Sequence, residues 1–219
     1  MDMFTNDASN QMAIAIDRDV LNNVFDQGSS YNKGASAGAI SGAYNLGTDD
    51  APVYITGENI IELITSLAST LDEQNVPDTD RWLVIDPFVR NVLMSSPLRQ
   101  AYLTGDSQSI VRNGKIGAID RFTVYVSNHL PRAADDEDFE GDSDAGAKKR
   151  TAILAGHKSA ITFASQITKV EQLPNPEDFG TLVRGLNVYG YKVIKPEALA
   201  MAVVTGVKPE EEGGEGGSE

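Results

Sequence analysis

The segment RWLVIDPFVRNVLMSSP, Arg81 to Pro97, constrains the chain more than any other. Trp82 to Ile85 is a continuous apolar run of strand length, the pattern of a strand covered on both faces. Asp86 and Pro87 end it. An aspartate there can accept a hydrogen bond from a free amide of a first helical turn, and a proline just inside loses nothing by lacking its N–H. The spacing therefore predicts a helix from Pro87 to about Met94, stopping before Pro97. A lone carboxylate at a strand end could also be a general acid or a nucleophile. That work needs a partner to shift its protonation, and no second acid stands at a motif spacing from Asp86. We read Asp86 as a helix cap.

The flanking segments supply the other layers. Apolar residues at Phe4, Ala8, Met12, Ile16, Val20 and Val24, with Ala13, Leu21 and Phe25 alongside, predict a helix of about seven turns. Gly28 to Pro52 is dominated by small residues without a sustained period and reads as a long loop. Thr56 is a candidate cap for an amphipathic helix with apolar positions at 60, 61, 64, 67, 68 and 71, ending before Pro77. Phe122, Val124 and Val126 alternate with Thr123, Tyr125 and Ser127 as one strand. Residues 152–173 and 181–204, rich in Val, Ile, Thr and Tyr, read as several strands joined by turns. Between these two regions the charged, Gly-rich stretch 132–150 reads as a solvent loop, and 208–219 as a disordered acidic tail.

Composition excludes several classes of chemistry. The formal charge of −14 opposes binding to phosphate backbones, and the basic residues do not cluster. With no cysteine there is no disulfide, thiol nucleophile or thiolate metal site. Only His129 and His157 remain as soft ligands, and neither has a serine or a second histidine at a recognisable spacing. His157 beside Lys158 could be a base and His129 a ligand; local polar roles at turns are the preferred reading. The glycines of 28–47 do not follow the phosphate-loop pattern, because Lys33 precedes them. Asp136, Asp138, Glu140, Gly141, Asp142 and Asp144 match positions 1, 3, 5, 6, 7 and 9 of a calcium loop. Position 12 is Ala147, which cannot supply the bidentate carboxylate, so a solvated acidic loop is the default. No catalytic, cofactor-binding or metal residue is assigned, and no run has the length of a membrane span.

Five segments in order resemble the C-terminal two thirds of a tailed-phage major capsid protein. They are NQMAIAIDRDVLNNV (10–24), VPDTDRWLVIDPFVRNVL (76–93), NGKIGAIDRFTVYVSNHLP (113–131), AILAGHKSAITFASQ (152–166) and LVRGLNVYGYKVIKPEALAMAVV (182–204). The resemblance implies an α+β, HK97-like capsid fold with a long spine helix. It further implies a peripheral lobe (1–27 and 168–194) and an axial lobe (28–167 and 195–207). The N-terminal arm and extended loop of that family have no counterpart in the sequence, which begins inside the helix; alone, the chain is expected to form at most small, weak oligomers. The implied function is a non-enzymatic coat protein forming hexamers and pentamers of an icosahedral shell around DNA, without sequence-specific binding. Scaffolding, portal and decoration proteins are the implied partners, the virion the implied location and the host cytoplasm the implied place of assembly. Three other readings stand beside this one: an encapsulin-like shell around protein cargo, a small acidic metal-dependent enzyme, and an isolated binding module.

Overall fold

The computed structural model describes residues 2–96, 111–112, 115–131, 150–174 and 181–206. The acidic stretch 132–149, with its calcium-loop match, and the tail 208–219 lie outside the described residues. The chain is α+β. Helices α1 (Asp2–Phe25), α2 (Ile60–Glu73) and α3 (Pro87–Ser95) accompany strands β1 (Val53–Tyr54), β2 (Arg81–Ile85), β3 (Val111–Arg112), β4 (Lys115–Ile116), β5 (Ala118–Ile119) and β6 (Phe122–Val126). The strands β7 (Arg150–His157), β8 (Ile161–Pro174), β9 (Thr181–Val193) and β10 (Leu199–Thr205) complete it.

Six strands form one sheet in the order β1-β10-β7-β2-β6-β5. β2 runs parallel to β6 and antiparallel to β7, and β10 is antiparallel to β7, so β2, β6 and β10 share one direction. Along β2, Arg81, Leu83 and Ile85 are buried, while Trp82 and Val84 are half-buried; cover is complete on one face only. Thr151 to Gly156 of β7 are all buried, as are all of β10 but Val203. Gly156 has a packing reason, since a Cβ there would lie 2.7 Å from the Trp82 ring and 2.8 Å from the Leu199 side chain. Helix α2 buries Ile60, Leu63, Ile64, Leu67, Ala68 and Leu71, the face its sequence predicts. Each fully buried Leu or Ile contributes about 1.5–3 kcal/mol, so this face is a main source of the lobe's stability.

One expected cap is in place and the other is displaced: α2 begins after Asn59, whose side chain makes no cap bond, and Thr56 lies three residues upstream of it. Asp86 is extended (φ −75°, ψ 153°), accepts from the Phe88 amide and precedes Pro87 at the first helical position. Thr56 starts the turn that leads into α2: its carbonyl accepts from Ile60 N at 3.1 Å and its hydroxyl from Glu58 N at 3.3 Å. Asn59 Oδ1 accepts from Thr56 N at 2.7 Å, which ties this turn to the start of the helix. Val126 departs from expectation: it shares the phase of buried Phe122 and Val124 but is exposed, because the strand runs past its cover.

The Gly-rich stretch is a loop, as read, but a fixed one. Buried Asn32 donates to the carbonyls of Glu197 (2.7 Å) and Leu199 (2.8 Å). Leu46 is fully buried, and its carbonyl accepts from Val203 N at 2.9 Å, extending the edge of β10.

The strands β8 and β9 form a separate antiparallel hairpin with a register shift between Ile167 and Lys169. Helix α1 lies against it. Met12, Ile16, Val20 and Leu21 are half-buried, Val24 is fully buried, and Ala13, expected beside the stripe, is exposed. The Tyr189 hydroxyl donates to Asp19 Oδ2 at 2.9 Å and that of Tyr191 to the Asp19 carbonyl at 3.3 Å. The rings of Phe163, Tyr189 and Tyr191 stack in sequence at centroid separations of 6.3 and 6.5 Å.

Candidate functional site

Of the residues singled out for chemistry, those described sit at a helix cap and at turns. Asp86 is buried and its Oδ1 lies 2.6 Å from the Phe88 amide it accepts from, the geometry of a cap. His157 Nδ1 accepts from the Ser159 amide at 3.2 Å and lies 2.8 Å from the Ser159 hydroxyl, closing the β7–β8 turn. His129 follows β6, its amide donating to Ser127 Oγ at 3.2 Å. Lys33 turns back to pair with Asp26 and does not face the glycines. Among the described residues, no group of three or more His, Asp or Glu could hold a metal ion. The described helices include none long and apolar enough to cross a membrane.

What these elements build instead is a set of surfaces. At the end of the sheet where β2, β6 and β10 begin, two successive acids finish α2. They oppose the helix dipole and have no basic residue in the last turn to offset it. Each is held by groups from another element. Asp72 pairs with Arg81 at 2.6 Å and with Arg121 at 2.6 Å. Arg81, fully buried, also donates to the carbonyls of Ala68 (3.2 Å), Val76 (2.6 Å) and Pro77 (2.8 Å), tying the end of α2 to the start of β2. Desolvation would raise the Asp72 carboxyl, but the hydrogen bonds and charges of Arg81 and Arg121 outweigh it and hold the carboxyl below its usual range.

Glu73 fixes the Gly-rich loop. Its Oε2 accepts from the amides of Ile40 (2.7 Å) and Ser41 (3.1 Å). The Ser41 hydroxyl, followed by the Ile40 amide, holds the Glu73 carboxyl below its ordinary value. Gly38 (φ +110°) could not carry a side chain here: besides the backbone strain, a Cβ would sit 2.9 Å from the Glu73 carboxylate. Three further turns at this end use left-handed residues that are not glycine, Asn75, Asp80 and Asp120, types that tolerate that conformation.

The hairpin presents a second surface. Leu186 and Val188, each 55% exposed, share the face of β9 turned away from Tyr189 and Tyr191, and across the pair stand exposed Ala164 and Gln166. A pocket of about 340 Å³ opens beside them, lined by Glu171, Arg184, Gly185 and Leu186. Towards the end of the sheet where β2, β6 and β10 finish, Phe88, Tyr125 and Val126 are also exposed, Tyr125 and Val126 on opposite faces of β6. Exposed apolar groups of this kind mark contact surfaces better than they mark active sites.

The same arrangement of elements occurs in solved phage structures. A structure of Mycobacterium phage Che8 superposes with a TM-score of 0.66 and 24% identity, covering 92% of this chain and 62% of that one. The capsid structure of the cyanophage P-SCSP1u gives a TM-score of 0.57 and 19% identity over 93% of this chain and 65% of that one. The fold is therefore that of phage capsid structures, and the chain spans less than two thirds of the length of these two relatives. At the level of sequence, the phage capsid protein family matches residues 1–203, and the chain belongs to that family. No curated protein matches it.

Proposed function

We propose that the chain is the structural major capsid protein of a tailed bacteriophage, self-assembling through hexamers and pentamers into an icosahedral shell that encloses the DNA genome. The family match over residues 1–203 carries the proposal. The exposed apolar residues of the hairpin, Leu186 and Val188, and those at the far end of the sheet, Phe88, Tyr125 and Val126, support it, because a tiling subunit needs several separate contact surfaces. The net charge of −14 suits a wall that must not retain DNA.

In this reading, 1–27 and 168–194 are the peripheral lobe, and 28–167 with 195–207 the axial lobe. The bonds from Tyr189 and Tyr191 to Asp19 favour grouping α1 with β9. The working location is the virion, after assembly in the host cytoplasm, with scaffolding, portal and decoration proteins as partners. The protein has no catalytic turnover. Sedimentation velocity on the protein made from its complete reading frame, with scaffolding protein supplied, tests the proposal: large closed particles are expected. A metal-dependent activity in a stable monomer would replace it with the acidic-enzyme reading.

A further inference from the structure

We draw no further inference here: the strongest candidate, the outward face of the β8–β9 hairpin around Leu186 and Val188, is an unpartnered apolar face, and nothing in the structure shows what covers it.

Discussion

The sheet lobe and the α1–hairpin pair are built from similar residues and bury them differently. In the lobe, β7, β10 and the inner face of α2 are almost wholly removed from water. Thr162 to Gln166 of β8 are exposed, and so are Leu186 and Val188 of β9; Val193, at the end of β9, is buried where the hairpin joins the lobe. A two-stranded hairpin is marginal by itself. The sheet region holds the buried core, while the hairpin leaves Leu186 and Val188 uncovered among the described residues. The contrast suits the proposed shell subunit: a region with its own core beside one with apolar surface available for contacts.

Truncating one buried and one exposed leucine should separate the two regions most strongly. Leu67→Ala should cost about 2–5 kcal/mol in denaturant unfolding of the unassembled chain. Leu186→Ala should stay within about 0.5 kcal/mol. Equal costs would mean that the hairpin is already covered in the monomer.

A smaller effect is expected where the lobe's α2 is fastened. Asp72→Asn should cost about 1–2 kcal/mol, less than a fully buried pair because the carboxylate is partly solvated. Since the folded Asp72 carboxyl is held below its usual value, the stability it contributes is present above the unfolded value of about 3.9 and is lost as pH falls through the folded value. Unfolding curves of parent and Asp72→Asn should therefore converge in acid below about pH 4. A gap that persists there would locate the effect in packing.

Asp86→Ala should cost about 1 kcal/mol, and Asp86→Asn, which keeps the acceptor, almost nothing. An Asp86→Asn protein that no longer forms particles while its stability is intact would show that the charge itself matters.

The smallest effect belongs to the α1–hairpin side. Hydrogen bonding to Asp19 raises the Tyr189 phenol, and desolvation followed by the Asp19 bond raises that of Tyr191. With folded values above the unfolded one, the stability they contribute is complete below about pH 10 and lost as pH rises through the folded values. Hydrogen exchange in α1 should accelerate in that alkaline range, and a Tyr189→Phe, Tyr191→Phe chain should lack this step. Exchange that rises equally in the lobe would refute the local attachment.

The features legible in the sequence were the local ones. Asp86–Pro87 announced its cap because donor and acceptor are two residues apart, and the α2 face showed in its spacing. Arg81 was missed as a buried hub, although a signal existed: it stands in phase with Leu83 and Ile85, and a charge on a buried face must find partners. The fixed Gly-rich loop was illegible because its anchors are distant. Glu73 reaches back to Ile40 across 33 positions, and Asn32 reaches Leu199 across 167. For the candidate surfaces, spacing could say that α1 has an apolar stripe but not that Ala13 stands outside it or that Val126 overruns its cover.

In the proposed function this chain works as one of many identical subunits of a closed shell. Electron microscopy of the protein produced from its complete reading frame, with its scaffolding protein present, tests it most directly. Closed particles of uniform diameter, with the hairpin and the far end of the sheet against neighbouring copies, are the predicted result. A protein that stays monomeric at high concentration under those conditions would contradict the account.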